Sequence, residues 1–216
     1  MPNLLSLILI APPILIALTF HEVAHGWVAY KFGDPTAKMA GRLTLNPIPH
    51  LDPIGTILLF LVHFGWAKPV PVNPAYFQNP KRDLMWVSLA GPASNLLLAL
   101  FFGLIFRMLL GGGLLRGGEI THVLIIMLNY AVLINIVLAV FNLIPIPPLD
   151  GSKILAGLMP RDLERYYLEF ERYGPMLIIG VVFISFVLHV SIIWPVLRPF
   201  VNFFYQLFTG MNYTGF

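Results

Sequence analysis

The sequence contains no cysteine and few charged residues. Without cysteine the chain has no disulfide framework, no thiolate metal site and no cysteine nucleophile, so a transition metal would have to bind His, Asp or Glu. Charged residues make up 11% of the 216 residues, whereas a soluble globular domain carries about 25%. The 13 basic and 10 acidic side chains nearly balance, which does not indicate a nucleic-acid partner. These absences exclude an ordinary soluble enzyme and a nucleic-acid-binding protein.

Apolar residues are abundant instead, at 58% of the chain, and the mean hydropathy is +0.82. A helix needs about 20 apolar residues to cross the ~30 Å hydrocarbon core of a bilayer. Runs with at most one charged residue predict four transmembrane helices, at residues 1–30, 84–106, 120–149 and 173–197. We therefore predict an all-α polytopic membrane protein in which residues 1–216 form a single domain embedded in the lipid bilayer.

The stretch from residue 33 to residue 83 differs from these runs, because its eight prolines prevent a long helix. Its apolar part, residues 53–67, is short for a crossing at 15 residues, and we predict that it is re-entrant. Residues 66–72 are typical of an extended strand at a sheet edge, so residues 33–83 are predicted to form a small β-rich loop region. Residues 199–216 are uncharged and aromatic, which is typical of a segment at the membrane interface.

The first apolar run contains His21, Glu22 and His25 in the pattern His-Glu-x-x-His. Residues four apart share a helix face, so both imidazoles can reach one metal ion. A carboxylate inside a membrane helix is costly and usually functional, and Glu22 is better placed as a general base than as a ligand. The alternative is a pair of packing histidines with a glutamate that extends to the membrane surface. That reach is difficult, because Glu22 lies nine residues from Lys31, roughly 13 Å along a helix.

A catalytic zinc ion takes three protein ligands and a water molecule, so one more ligand is needed. Asp150 stands out because it ends a long uncharged run after several prolines, and Gly151 permits a turn there. Asp150 could equally cap the helix that follows. His50 and Asp52, in the proline-rich stretch, could lie near the metal ion or hydrogen-bond its ligands. The other candidates, for which local hydrogen bonding is expected, are His63, His122 and His189.

Three motifs together resemble the site-2 protease family of intramembrane zinc metalloproteases. They are the His-Glu-x-x-His of residues 21–25, the Gly-Pro-Ala-Ser-Asn of residues 91–95 and the Asn-x-x-Pro-x-Pro-x-Leu-Asp-Gly of residues 142–151. Their order and spacing are specific. The chain resembles the compact members of this family, because we expect no PDZ-like or nucleotide-sensing domain.

The resemblance implies a zinc ion, one per chain, and transmembrane proteins as substrates. It implies that His21, His25 and Asp150 hold the zinc ion and that Glu22 is the catalytic acid and base. It also implies that Asn95 and Asn142 orient the substrate or the oxyanion. The alternative for Asn95 is a hydrogen bond that holds two helices together.

The distribution of Lys and Arg indicates the orientation in the membrane. If residues 53–67 return to the side from which they came, ten Lys and Arg lie on the side of the active-site rim and three on the other. If these residues crossed, the division would be six against seven. The positive-inside rule then places the rim in the cytoplasm and the N-terminus outside, in what we expect to be a prokaryotic cell membrane.

The sequence thus predicts a zinc metalloendopeptidase that cleaves peptide bonds within or next to transmembrane segments of other proteins, the chemistry of regulated intramembrane proteolysis. The edge strand is predicted to hold the substrate as an added strand, and the alternative is a structural loop that covers the re-entrant segment. One alternative is a membrane zinc transporter or sensor, which should offer ligands along a path, and another is an inactive relative that binds membrane proteins. A homo-oligomer is compatible with the sequence. The predicted docking residues are Trp66, Lys68, Val70 and Val72.

Overall fold

The computed structural model describes residues 4–62, 65–111 and 118–213. These residues are largely helical, as apolar runs of this length require in a membrane, where every backbone polar group must find a partner within the protein. The helices, numbered in chain order, are α1 (Leu4–Lys31), α2 (Thr36–Met39), α3 (Pro53–Val62), α4 (Pro80–Gly111), α5 (Glu119–Asn142), α6 (Asp150–Leu158), α7 (Glu164–Leu188) and α8 (Trp194–Thr209).

Four of these helices are long and apolar enough to cross a membrane, which confirms the predicted number of spans. Two of them end earlier than predicted. Helix α5 stops at Asn142 rather than at residue 149, because Pro145 and the prolines after it cannot donate the next helical hydrogen bonds. Helix α7 stops at Leu188, because His189 adopts the left-handed conformation with φ 52°. The spanning segments are Ile8–Lys31, Pro80–Gly111, Glu119–Asn142 and Glu169–Leu188.

The predicted β-rich region is wrong for the residues that the structure describes. Between residues 33 and 83 they contain short helices and turns, and the only β-type pairing among them is an isolated antiparallel bridge between Leu51 and Ala67. The reason is the proline content. Pro69, Pro71 and Pro74 have no backbone N–H to donate, so a ladder that begins at Ala67 cannot continue.

The apolar segment 53–67 starts and ends at the same place in the molecule. Its helix α3 has 10 residues, or about 15 Å, which is half of a hydrocarbon core. The bridge between Leu51 and Ala67 joins its two ends, and the Lys68 N–H donates to the His50 carbonyl at 2.9 Å. Glycine is required at residue 55, since a Cβ there would lie 2.2 Å from the Trp66 carbonyl oxygen.

The C-terminal aromatic residues form helix α8, which packs one face against α4 and α5. This helix starts at Trp194, before the predicted segment 199–216. Its opposite face leaves Phe200, Phe203 and Leu207 exposed, and its place at the membrane interface stays a prediction. The core between these helices consists of buried apolar side chains: Ala99, Val132, Leu133, Ile136, Val140, Leu197, Val201, Tyr205 and Phe208.

We expect Gly103→Ala to destabilise the contact between α4 and α8. A Cβ at residue 103 would lie 2.9 Å from the Cβ of Phe208 and 3.1 Å from its carbonyl oxygen, and overpacking of this kind costs about 1–3 kcal/mol. Thermal unfolding in detergent should show a Tm lower by several degrees. Gly111→Ala is the matched control, because a Cβ there meets nothing within 4 Å. An equal Tm for both variants would contradict this packing.

Candidate metal centre

Two helices bring three metal-binding side chains together. His21 and His25 lie one turn apart on α1, and Asp150 is the first residue of α6. Their ligand atoms are close to one another: His21 Nε2 to His25 Nε2 is 3.0 Å, His21 Nε2 to Asp150 Oδ2 is 3.1 Å and His25 Nε2 to Asp150 Oδ2 is 3.2 Å. All three side chains are buried. Among the described residues, His21, His25 and Asp150 form the one group of at least three His, Asp or Glu side chains that could hold a metal ion.

The arrangement fits zinc in both chemistry and size. Two imidazoles and a carboxylate form a known ligand set of catalytic zinc, at roughly 2.0–2.2 Å from the ion. Ligand atoms around such a tetrahedral ion lie roughly 3.3 Å apart, and the separations of 3.0–3.2 Å are within a few tenths of an ångström of that value. Only small side-chain movements would be needed to accommodate the ion.

The hydrogen bonds behind the imidazoles decide which nitrogen faces the centre. His25 Nδ1 lies 2.7 Å from the Val87 carbonyl oxygen, which can only accept, so Nδ1 carries the proton. His21 Nδ1 lies 2.6 Å from Asn95 Oδ1. The orientation of the Asn95 amide follows from its Nδ2, which donates to the Ala17 carbonyl at 3.0 Å. Both histidines therefore direct an unprotonated Nε2 inwards, as metal ligands must.

Asn95 is itself held by Asn135, a residue that the sequence analysis missed. Asn95 Nδ2 donates to Asn135 Oδ1 at 2.8 Å, and Asn135 Nδ2 donates to the Ala131 carbonyl at 2.8 Å. Both asparagines are fully buried. Since the two N–H groups of Asn95 are used inside the protein, this geometry favours support of His21 over the predicted contact with an oxyanion. The sequence feature that could have identified Asn135 is its side-chain amide, because polar side chains are costly in an uncharged membrane helix.

Close packing at the centre depends on two glycines. A Cβ at residue 91 of α4 would lie 2.4 Å from His25 Nε2 and 2.6 Å from His21 Cε1, so only glycine leaves room for the imidazoles. A Cβ at residue 151 would lie 2.3 Å from the Leu143 carbonyl oxygen, which shows how closely the start of α6 approaches the end of α5. The N-cap position of α6 is taken by Leu149 and not by Asp150, whose side chain points to the histidines.

Glu22 lies beside this group without joining it. Its Oε2 accepts a hydrogen bond from the Val70 backbone N–H at 2.7 Å, and its side chain is buried. The carboxylate therefore belongs to the turn of α1 that carries both histidines, and it is anchored to the proline-rich segment. This is the position that a general base needs, since it must reach a water molecule without displacing a ligand.

The side chains of the other predicted site residues hydrogen-bond groups other than the three candidate ligands. Asn142 Nδ2 donates to the Leu138 carbonyl within its own helix at 3.0 Å. His50 is buried and its Nε2 lies 2.9 Å from the Thr44 carbonyl oxygen. Asp52 Oδ1 accepts from the Gly55 N–H at 2.8 Å, close to the start of α3. His122 and His189 are exposed, and His63 lies outside the described residues.

The predicted docking segment is not a free edge in this structure. The N–H groups of Lys68 and Val70 donate to His50 and Glu22, and Trp66 and Lys68 have exposed side chains. A substrate strand could pair with these two amides only after they leave their present partners. The role of Trp66, Lys68, Val70 and Val72 in substrate docking stays a prediction.

A buried group of two histidines and an aspartate that fits zinc, with an adjacent glutamate and set among membrane-spanning helices, is typical of one class of protein: a zinc-dependent hydrolase that works inside the membrane. Comparison with known proteins agrees. The profile of Peptidase family M50 matches residues 118–188. "Putative zinc metalloprotease YwhC" of Bacillus subtilis is 42% identical over 199 residues, which cover 92% of this chain and 90% of that protein.

Two further relatives carry names of the same form. Rip2 of Mycobacterium tuberculosis (strain ATCC 35801 / TMC 107 / Erdman) is 33% identical over 74% of this chain and 61% of its own length. MJ0611 of Methanocaldococcus jannaschii is 30% identical over 71% of this chain and 73% of its own length. No solved structure matches the chain. The chain belongs to peptidase family M50, the site-2 protease family, and is an intramembrane zinc metalloprotease.

We expect Asn135→Leu to weaken zinc binding although residue 135 touches no ligand. The substitution removes the acceptor that holds Asn95, which in turn orients His21, and loss of such supporting hydrogen bonds lowers metal affinity about 10–100-fold. Zinc affinity is measured by competition with a chromophoric chelator. Asn129→Leu, in the same helix, is the control, because Asn129 bonds Tyr205 and not the centre. Equal affinities in the two variants would refute the role of Asn135.

Proposed function

We propose that one zinc ion per chain is bound by His21, His25 and Asp150, and that Glu22 is the general base and acid of peptide hydrolysis. The observation that carries this assignment is the convergence of three unprotonated ligand atoms within 3.2 Å of one another, with a carboxylate beside them that is bonded elsewhere. Bound zinc supplies Lewis acidity, which polarises a carbonyl group and lowers the pKa of water towards about 7.

The remaining chemistry belongs to the chain. Glu22 takes a proton from the attacking water and later delivers it to the leaving amine. The Val70 N–H occupies Oε2 of this carboxylate, so the other oxygen is available for the proton. The imidazole N–H groups of His21 and His25 are committed to Asn95 and the Val87 carbonyl. These bonds keep both rings in the orientation that binds the ion throughout the reaction.

The substrate of this site is a transmembrane segment of another protein, cleaved within the membrane or next to it. Support comes from the location of the ligands, which lie in or beside membrane-spanning helices. A helical substrate must first unwind locally, because its carbonyl oxygens are occupied by intrahelical hydrogen bonds. Nothing favours the alternative of zinc transport: the described residues contain no second group of three ligating side chains that could continue a path.

The active-site rim faces the cytoplasm in this proposal. The joined ends of the segment 53–67 support its return to the side from which it came. With that topology the rim side carries ten Lys and Arg against three on the opposite side, and the positive-inside rule places such a side in the cytoplasm. Non-helical backbone near the ligands is tolerated where protein surrounds it or water reaches it, and hydrolysis requires water.

We expect Glu22→Gln to retain zinc and to lose cleavage. The amide keeps the size of the side chain but cannot accept a proton, and removal of a general base costs about 10²–10⁴-fold in rate. The test is co-expression with a panel of single-span membrane proteins, together with zinc analysis of the purified enzyme. Glu119→Gln, at the exposed start of α5, is the control. Loss of zinc in Glu22→Gln would make Glu22 a ligand instead.

We expect Asp150→Ala to lower zinc occupancy and to abolish cleavage, because it removes one of three ligands. Asp52→Ala should retain zinc, since Asp52 bonds the start of α3 and not the centre. Zinc per protein, measured by elemental analysis after gel filtration, distinguishes the two. If Asp52→Ala lost the metal and Asp150→Ala kept it, the ligand set would have to be reassigned to the proline-rich loop.

A further inference from the structure

The carboxylate of Glu22 is held by a single peptide group. Within residues 4–62, 65–111 and 118–213, the Val70 N–H supplies the one hydrogen bond that this carboxylate receives, at 2.7 Å to Oε2. The sequence around it is Pro69-Val70-Pro71, and proline has no backbone N–H. Val70 is therefore the only residue of the three that can donate. The position of the Pro69–Val70 peptide group decides where Oε2 lies.

Arg42 holds the other end of the same peptide group. Its Nη1 donates to the Pro69 carbonyl at 3.2 Å and its Nη2 donates to the Lys68 carbonyl at 2.6 Å. A peptide group is planar and rigid, so a guanidinium that fixes the Pro69 carbonyl also fixes the Val70 N–H. The Pro69–Val70 peptide group is a dipole with its negative end at the carbonyl oxygen and its positive end at the N–H. The Arg42 guanidinium lies at the carbonyl end and the Glu22 carboxylate at the N–H end, which is the favourable arrangement of charges.

Fold stability alone gives a poor account of Arg42. Its side chain is 6% exposed, and in the part of the chain that the structure describes it forms no ion pair with a carboxylate. Among the described residues, its buried Nε has no protein hydrogen-bond partner. A buried guanidinium that bonds neutral carbonyls is a costly way to anchor a loop. A role in the reaction explains why a charged guanidinium is buried at residue 42.

His50 holds Arg42 and the segment together. Its Nε2 lies 2.9 Å from the Thr44 carbonyl oxygen, so Nε2 carries the proton and Nδ1 is left as an acceptor. That Nδ1 faces Arg42 Nη2 at 3.4 Å, and the His50 carbonyl accepts the Lys68 N–H at 2.9 Å. The contacts run from His50 through Arg42 to the peptide group that bonds Glu22.

We propose that Arg42, supported by His50, is a positioning residue for proteolysis: it holds the Pro69–Val70 peptide group so that the Val70 N–H aligns Glu22 for proton transfer. The inference rests on the proposed role of Glu22 as general base. It explains why a buried cation and a proline-flanked amide meet at this carboxylate. It also gives His50 a function at a distance from the metal ligands.

The test compares Arg42→Gln with Arg42→Lys in the full-length chain, using a single-span membrane protein that the wild type cleaves. We expect Arg42→Gln to bind zinc stoichiometrically and to keep KM within about twofold, while kcat falls by roughly 10²-fold, the cost of misplacing a catalytic group by about 1 Å. Arg42→Lys should recover part of kcat, because an ammonium group can bond one carbonyl. Lys38→Gln, which removes an exposed cation four residues away, should behave as wild type.

A second measurement does not depend on activity. Hydrogen exchange of the zinc-free protein, followed by mass spectrometry over residues 66–73, should be faster in Arg42→Gln than in wild type or Lys38→Gln, because the segment loses two of its anchoring hydrogen bonds. If Arg42→Gln cannot be purified, His50→Phe serves instead. It removes the acceptor that faces Arg42 and should lower kcat in the same direction by a smaller factor.

Several results would overturn the inference: an unchanged kcat in Arg42→Gln, a loss of zinc that accounts for the lost activity, or a rise in KM at constant kcat, which would mean that Arg42 serves substrate docking. Glu22→Gln is measured in parallel. Inactive Glu22→Gln with fully active Arg42→Gln refutes only the positioning role. Active Glu22→Gln refutes the proposed function itself.

Discussion

Three hydrogen-bond acceptors, His21 Nε2, His25 Nε2 and Asp150 Oδ2, face one another within 3.2 Å inside the helical bundle. Their lone pairs repel unless a cation lies between them, and the cost is high where water is scarce. Elements distant in sequence must therefore be packed firmly enough to keep the three atoms together. The end of α5 and the start of α6 meet at Gly151 without room for a side chain, and α4 lies directly behind the imidazoles.

One face of α4 performs three tasks at intervals of four residues. The Val87 carbonyl accepts from His25, Gly91 leaves space for both rings and Asn95 accepts from His21. Residues four apart lie one above another on a helix, so this face follows the two histidines of α1, which are also four apart. The Val87 carbonyl has two lone pairs, so it can accept from His25 as well as from a helical N–H.

Features that depend on composition or helix periodicity could be predicted from the sequence, namely the four spans and the pairing of His21 with His25. Features that depend on backbone partners could not. Arg42 bonds two main-chain carbonyls, and such partners leave no pattern in a single sequence. The β-rich region was overpredicted because extended, proline-flanked residues resemble an edge strand, although in the described residues the pairing ends at Ala67. Asn135 is hidden among three asparagines of α5, and only the packing distinguishes it.

The buried asparagines also determine the direction of the hydrogen bonds around the centre. His21 donates to Asn95, Asn95 donates to Asn135, and Asn135 donates to the Ala131 carbonyl. A carbonyl can only accept, so the last bond fixes the orientation of each amide before it and, finally, the proton on His21 Nδ1. The Ala17 carbonyl of α1 accepts a hydrogen bond from Asn95 Nδ2, which fixes the Asn95 amide in the same orientation. If this series of hydrogen bonds ended on a backbone N–H, every bond in it would be reversed. The proton of the imidazole would then lie on His21 Nε2, which could no longer bind a metal ion. The bundle thus selects the tautomer of His21 whose Nε2 is able to bind a metal ion. It does so through neutral groups alone, which are cheaper to bury in a membrane than a second carboxylate.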